Sequence, residues 1–293
     1  MSSTESGNTT KKLINSSALR VITLVTGIAI SFFMMPFIIR SLGNELYGLW
    51  SVIASIFAFY SLLDMGISNA TQRFIALALP KRDNDELNSI INTSLVIFLG
   101  IGVIAFFITL IVTFLGSHFT QDPSQIHAFR IVTLIMGCGL AIGFPFIALN
   151  GVLSAHLRYD LGCYAQLLKM AVRTPLMIYV LNTGHGLIAM AIVTVATDFL
   201  ANLTTLYFAK RLFPELAFAK KHFDSRRIKE LGNYAKYSFI IMIADQVRLN
   251  TDKLVIGTYL SLTSVAIYQI ALQLVSYFSR FLGQATSVML PIY

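Results

Sequence analysis

Long, continuous apolar blocks separated by short polar segments make up most of this chain. A membrane-spanning helix needs roughly 20 mostly apolar residues. The blocks reach this length and lack the two-residue alternation of barrel strands. The sequence therefore predicts an all-α integral membrane protein of about eight transmembrane helices. The predicted spans are 19–39, 46–68, 87–115, 128–153, 163–182, 186–208, 234–258 and 264–290.

The overall composition agrees with a membrane protein. Of the 293 residues, 56% are hydrophobic and only 12% are charged, whereas soluble domains carry about 25% charged residues. The net charge of +8 would suggest nucleic acid as a partner for a soluble protein. Here the lipid bilayer explains the composition better, and no nucleic-acid partner is expected.

The positive charges follow an alternating pattern along the chain. Lysines and arginines cluster in the N-terminal segment and in every second loop, including Lys81–Arg82, Arg158 and the long loop Lys210–Lys236. The intervening loops contain almost none. Because cytoplasmic loops are enriched in Lys and Arg, the pattern predicts a cytoplasmic N-terminus. With eight spans, Tyr293 returns to the same side.

The predicted spans divide the chain into four parts. The segments are a polar cytoplasmic tail at 1–12, a six-helix membrane lobe at 13–208, a basic cytoplasmic linker at 209–233, and the first two helices of a second, incomplete lobe at 234–293. In the linker, Phe213 and Leu216 are interleaved with basic residues, which favours an amphipathic segment on the anionic inner leaflet. Docking of a partner is the alternative interpretation.

Three motifs resemble a known transporter family. They are LG-x-E-x-YG-x-W at 42–50, LLD-x-G at 62–66 and RFIA at 73–76, and Asp252-Lys253 with Ile256-Gly257 and Tyr268 follows later. They resemble the polysaccharide-export flippases, the O-antigen and lipid-linked oligosaccharide branch of the multidrug/oligosaccharidyl-lipid/polysaccharide exporter superfamily.

This resemblance implies both a fold and an activity. It implies 12 to 14 helices in two lobes around a central cavity. It also implies alternating access and flipping of undecaprenyl-diphosphate-linked glycans across the bacterial inner membrane, for surface polysaccharides such as lipopolysaccharide. The chain ends where such a protein would enter its ninth span, so we expect a C-terminally truncated member.

Ionisable residues within the spans are candidate site residues, because charges in a bilayer core normally face a bundle interior or an aqueous cavity. In the seventh span, Asp245, Arg248 and Asp252 recur at helical spacing on one face with Tyr234, Ser238 and Tyr259. The face is expected to line the groove between the lobes. The alternative is that Asp245 and Arg248 only pair with each other.

Two further pairs are predicted from equal depth in neighbouring spans. Arg20 and Asp64 are almost equally distant from the turn at Gly43, and Arg173 and Asp198 lie at similar depths below Gly184. Arg280 in the eighth span is another candidate, and Asp160 is a weaker one. For each pair, a purely structural ion pair is the competing interpretation.

Arginine suits a diphosphate because guanidinium stays charged in a low-dielectric site and binds phosphate oxygens in a bidentate manner. We therefore assign Arg20, Arg173, Arg248 and Arg280 to substrate binding. Asp64, Asp198, Asp245 and Asp252 are assigned to the cavity, where they would couple to H⁺ or Na⁺ or neutralise arginines. No P-loop, HExxH motif or Cys/His cluster is present, so neither a cofactor nor a metal is expected.

Three functions remain open. The first is a lipid-linked oligosaccharide flippase, and the second is a cation-coupled small-molecule exporter of the same superfamily. The third is a membrane glycan polymerase or ligase, which the short outer loops disfavour, so the chain is not expected to be an enzyme. An arginine-rich cavity would suit a diphosphate and an acidic one would suit cationic drugs. Because four arginines face five aspartates, composition does not decide.

Overall fold

The computed structural model describes residues 3–81, 83–120, 122–217, 219 and 222–289; side chains are described for these residues outside 3–17, 236–238, 241 and 280–289. The described residues form eight α-helices and contain no strand. The helices are α1 (Ser3–Phe59), α2 (Ile67–Ala78), α3 (Asn84–Val112), α4 (Pro123–Ala155), α5 (Tyr159–Asn182), α6 (Gly186–Leu212), α7 (Ser225–Tyr259) and α8 (Leu262–Met289). Short 3-10 turns follow α1, α2 and α3, at Tyr60–Asp64, Leu79–Lys81 and Thr113–His118.

Helix α1 contains the first two predicted spans, joined through a break at Gly43. The backbone there has φ 80° and ψ 165°, a conformation that glycine adopts without steric cost and other residues rarely reach. The glycine of the LG motif therefore turns one long helix into two arms. α1 begins at Ser3, so the backbone of residues 3–12, predicted as a polar tail, is helical.

The predicted continuous span 46–68 is wrong in its last third. α1 ends at Phe59, a 3-10 turn covers Tyr60–Asp64, and α2 begins at Ile67. Met65 and Gly66 both have positive φ, 50° and 78°. Asp64 accepts hydrogen bonds from the backbone and the hydroxyl of Ser68, so the LLD-x-G motif ends one helix and starts the next.

Aspartates start three of the helices. Asp83, Asp122 and Asp224 accept hydrogen bonds from backbone amides in the first turns of α3, α4 and α7. Such caps satisfy amides that have no partner within the helix. Hydrogen bonds from the Arg226 side chain and backbone hold the pKa of Asp224 below its ordinary value.

Within the described residues, five stretches are long and apolar enough to cross a membrane: 18–64, 84–118, 123–155, 186–212 and 262–279. The first covers 47 residues and includes the break at Gly43. α5 and α7 have sufficient length but carry charged residues. Large apolar side chains such as Phe33, Phe107 and Ile111 are more than half exposed, as expected for a lipid-facing surface. The total of eight spans stays a prediction.

The helices pack around an apolar core that includes Leu49, Phe98, Phe129 and Val265. α3 packs on α4, α4 on α6, and α5 on both α6 and α1, whereas α7 and α8 pack mainly on α1. α1 and α8 approach closely at Gly48, where an added Cβ would lie 1.9 Å from the carbonyl oxygen of Leu262. The division into a complete and an incomplete lobe stays a prediction.

The segment after α6 packs its first apolar side chains against protein, and its predicted position on the inner leaflet stays a prediction. Phe213 and Leu216 are buried in a protein cluster with residues of α2, α3 and α4. Asn88 and Asn92 of α3 bond to the backbone of residues 215, 217 and 219. Phe213 and Leu216 therefore face protein, whereas Phe223 and Ile228 further along are 40% and 42% exposed. Phe218, Lys220 and Lys221, which belonged to the same prediction, lie outside the described residues.

Candidate functional site

A cavity of about 730 Å³ lies between both arms of α1 and helices α5, α7 and α8; we call it the central cavity. α5 contributes a stripe at helical spacing, and one residue of α6 also reaches the wall. The α5 stripe consists of Cys163, Gln166, Lys169, Met170, Arg173, Thr174 and Met177.

The charged lining of the central cavity is entirely basic. Four cations line it: Arg20 from α1, Lys169 and Arg173 from α5, and Lys253 from α7. No aspartate or glutamate is among its described lining residues. The lining therefore carries an excess of positive charge.

A second cavity of about 610 Å³ lies beside the first, between α1, α4, α5 and α6; we call it the side cavity. Its polar lining includes Asn150, Asp198, Asn202 and Thr205, and Asp198 is its only described carboxylate. Gln166 and Lys169 line both cavities. These two residues therefore form part of the wall between them.

The predicted approach of Arg173 to Asp198 is confirmed, and a second cation joins it. Arg173 Nη1 lies 3.9 Å from Asp198 Oδ1, and Lys169 Nζ lies 3.0 Å from the same oxygen. The Asp198 side chain is 46% exposed, whereas that of Lys169 is 19% exposed. One carboxylate thus faces two cations.

The predicted pairing of Arg20 with Asp64 is wrong. The guanidinium of Arg20 lies 3.9 Å from the ring centroid of Tyr159, a cation–π contact at the start of α5. Asp64 bonds to Ser68, and no ion pair joins Asp64 to Arg20 among the described side chains. Arg20 lines the central cavity, and Asp64 lines neither cavity.

The charged stripe of α7 is exposed in this structure. Arg248 and Asp245 form an ion pair of 3.0 Å, with side chains 73% and 52% exposed. Asp252 accepts a hydrogen bond of 2.5 Å from Tyr268. None of the three lines the central or the side cavity. Their assignment to the site stays a prediction, and the side chain of Arg280 lies outside the described residues.

A different face of α7 points into the protein. Gln246 bonds to Ser61 of the turn after α1, Asn250 bonds to Gln246, and Lys253 donates to Asn250 at 3.1 Å. Residues 246, 250 and 253 recur at steps of four and three, which keeps them on one face. These successive side-chain hydrogen bonds orient Lys253, which lines the central cavity.

The remaining lining of the central cavity combines flexible apolar side chains with two buried polar atoms. Met34, Met170 and Met177 line it, as does Trp50, and methionine fills irregular spaces because its side chain is flexible. On α8, the hydroxyl of Tyr277 and the side-chain oxygen of Gln269 are buried and have no hydrogen-bond partner among the described side chains.

Sequence reasoning missed Lys169 and Lys253 as cavity residues. Lys169 lies one turn before Arg173, so the spacing that marks Arg173 also marks Lys169. Lys253 lies on the face of Gln246 and Asn250, a polar stripe that the stronger charges of Asp245, Arg248 and Asp252 obscured. Asp160, the weaker candidate, is held by Arg158 at 3.0 Å outside both cavities.

Comparison with known proteins gives one family match and one curated relative. A family model described as polysaccharide biosynthesis protein matches residues 17–293. The uncharacterized membrane protein EpsK of Bacillus subtilis (strain 168) is 24% identical over 293 residues, covering 96% of this chain and 56% of that protein.

Solved transporter structures share the fold. A multidrug resistance MATE family transporter of the MOP superfamily in its outward-facing conformation has a TM-score of 0.69 and 18% identity, covering 94% of this chain and 62% of that one. The inward-facing conformation of such a transporter has a TM-score of 0.66 and 17% identity, covering 86% and 59%. The chain spans less than two thirds of the length of these relatives.

Proposed function

We propose that this chain, which belongs to the polysaccharide biosynthesis protein family, translocates an undecaprenyl-diphosphate-linked oligosaccharide for surface polysaccharide synthesis. The family and the fold are those of membrane transporters. The resemblance read from the LG-x-E-x-YG-x-W and LLD-x-G motifs is confirmed at the level of the family. The substrate, the mechanism of alternating access and the bacterial inner membrane as location are the proposal.

One observation carries this proposal: the central cavity has four cations and no described carboxylate. A diphosphate brings negative charge that these cations can compensate, and arginine donates to phosphate oxygens in a fixed, bidentate geometry. A cationic drug would instead meet four like charges in the lining, partly offset by Asp198, which pairs with Lys169 from the side cavity. The charge of the cavity therefore favours the flippase over an exporter of cationic molecules.

The four cations are spread over the depth of the membrane. With the N-terminus in the cytoplasm, Arg20 lies near the inner end of the first predicted span, 19–39, and Lys253 lies about 9 Å from the outer end of α7, counting 1.5 Å per residue. Lys169 and Arg173 lie between these depths. A diphosphate moving outward would thus meet a cation at successive levels. We also propose Arg248 and Arg280 as contacts on walls that the described cavities do not include.

The cytoplasmic N-terminus is itself part of the proposal, supported by the basic residues of alternate loops. We expect an engineered cysteine at Thr183 to react with an impermeant maleimide added to intact cells. A cysteine at Arg226 should react only after permeabilisation. The native Cys138 and Cys163 are first replaced by serine. Labelling at 226 in intact cells would reverse the orientation.

A binding experiment tests the substrate class. Trp50 is the only tryptophan of the chain and lines the central cavity, so its fluorescence reports on that site. We expect geranylgeranyl diphosphate to change this signal saturably, and geranylgeraniol to bind far more weakly. Arg173→Gln should weaken diphosphate binding by about 10- to 100-fold, since hydrogen bonds to charged groups contribute roughly 1.5–3 kcal/mol.

Arg226→Gln is the matched control. The side chain of Arg226 is 87% exposed and pairs with Asp224 outside both cavities. Its loss should therefore leave the affinity for the diphosphate unchanged. Equal weakening by both variants would mean that net charge, not the cavity, determines binding. Saturable binding of tetraphenylphosphonium, with none of the diphosphate, would instead support the small-molecule exporter.

A further inference from the structure

Among the described residues, Lys169 is the only one with a charged side chain that lines both cavities. In this structure its ammonium group bonds to Asp198 Oδ1 at 3.0 Å. Asp198 lines the side cavity and not the central one. The lysine is therefore held by a carboxylate that a ligand in the central cavity does not touch.

Arg173 differs from Lys169 in this respect. It lines only the central cavity, and its nearest nitrogen is 3.9 Å from Asp198. At that distance there is no hydrogen bond of ordinary geometry. Its guanidinium thus stays available to the central cavity while the lysine one turn earlier is engaged.

The chemistry of lysine allows it to change partners. Its charge is compact and sits on a flexible four-carbon stem with three rotatable donors. The alternative partner would be an anion in the central cavity beside Arg173. A diphosphate carries more negative charge than one carboxylate, so it competes effectively for the same ammonium group.

We propose that Asp198 is a positioning residue that holds Lys169 toward the side cavity in the empty protein and competes with the substrate diphosphate for it. This inference rests on the proposed function. When the diphosphate enters, Lys169 turns to the central cavity beside Arg173. When Asp198 takes the lysine back, the diphosphate loses a cation and is released. The carboxylate thereby lowers resting affinity and speeds release.

The proposal predicts that one substitution in the protein strengthens substrate binding instead of weakening it. Asp198→Asn removes the competitor, so geranylgeranyl diphosphate should bind about three- to fivefold more tightly, measured through Trp50 fluorescence on the purified full chain. The size follows from ion pairs of this exposure contributing up to about a fivefold change in equilibrium. Asp198→Glu keeps the competing charge and should restore near wild-type affinity.

Lys169 must mediate the effect. Lys169→Gln should weaken binding, and adding Asp198→Asn to Lys169→Gln should change the affinity by less than about twofold. Such non-additivity is expected of residues in direct contact. Asp160→Asn, which removes an equal charge from a pair at the start of α5, is the control and should leave affinity unchanged.

The outcomes separate this inference from the proposed function. If wild-type protein does not bind the diphosphate, both are wrong. If wild type binds and Arg173→Gln weakens binding but Asp198→Asn does not tighten it, only the inference is wrong. Loss of Asp198→Asn protein from the membrane would also contradict it, since the pair would then be a structural one.

Discussion

Lys169 and Arg173 present two like charges on successive turns of one helix face, an arrangement that slightly destabilises a helix. Both are largely withdrawn from solvent, with side chains 19% and 29% exposed, and removal of charges from water costs free energy that a single partner rarely recovers. Asp198 supplies one negative charge for two cations. The uncompensated charge at this site is best explained by a ligand anion.

The exposed residue Arg248 allows a clean test of the sequence-based site. Its pair with Asp245 is solvent-exposed, and such pairs contribute only about 0–1 kcal/mol to stability. Arg248→Ala should therefore leave the protein level near normal. If Arg248 contacts substrate, Arg248→Ala should severely impair glycan export in a complementation assay, whereas Arg248→Lys should impair it partly.

Two results would decide against that role of Arg248. Normal export by Arg248→Ala would show that the residue does not contact substrate. Disappearance of the variant from the membrane would instead make Arg248 a structural partner of Asp245. Asp245→Asn serves as the comparison, because it removes the same ion pair and leaves the guanidinium in place.

Sequence could predict the Arg173–Asp198 approach because both depths are counted from one short turn at Gly184. The same counting failed for Arg20 and Asp64. It gives depth and not direction around the helix, and the chain between them breaks at Gly43 and again after Phe59. The Tyr159 ring that holds Arg20 comes from α5, a tertiary contact that local spacing does not encode.

At the scale of elements, the segment between α6 and α7 is attached to α3 by two asparagine side chains that form hydrogen bonds with its backbone. The Asn88 amide donates to the carbonyl of Glu215 and accepts from the amide of Ala217. Asn92 repeats this pattern with Ala217 and Ala219. Backbone groups of this irregular segment thus find hydrogen-bond partners without a sheet.

We expect Asn88→Ala and Asn92→Ala each to lower the free energy of unfolding by at least about 2 kcal/mol, because each removes two hydrogen bonds to this segment, of roughly 1 kcal/mol apiece, and a third to the preceding turn of α3. Thermal melting in detergent would measure the loss. Limited proteolysis should show faster cleavage between Phe213 and Asp224. Asn233→Ala, at an exposed position of α7, is the control and should melt like wild type. Unchanged melting temperatures of both Asn88→Ala and Asn92→Ala would contradict the role of these side chains in fixing the segment.

The positions of the helices were predictable where the length of an apolar stretch determines them. They were not predictable where the backbone conformation of single residues ends a helix. Spans at 87–115, 128–153 and 186–208 fall within α3 with its 3-10 extension, α4 and α6. The break at 60–66 lies in a stretch whose apolar pattern continues, and Met65 with positive φ carries no sequence signal. The interior position of Phe213 and Leu216 was missed because amphipathic patterns do not distinguish lipid from protein as the apolar partner.

On the scale of the whole molecule, the cavity lies where α1 and α5 face α7 and α8, so its cations come from both sides of the division predicted at the linker. Arg20, Lys169 and Arg173 lie before the linker, and Lys253 lies after it. A relative movement of the two sides would change how many cations face one diphosphate. We propose that these cations guide a diphosphate across the membrane.

Translocation by the purified full chain in liposomes tests this claim most directly. A fluorescent polyprenyl diphosphate is placed in one leaflet, and its arrival in the other is read by the fraction protected from an impermeant quencher. We predict transfer by wild type, at least tenfold slower transfer by Arg173→Gln, and a wild-type rate for Arg226→Gln. Equal rates in wild-type, Arg173→Gln and protein-free liposomes would contradict the account.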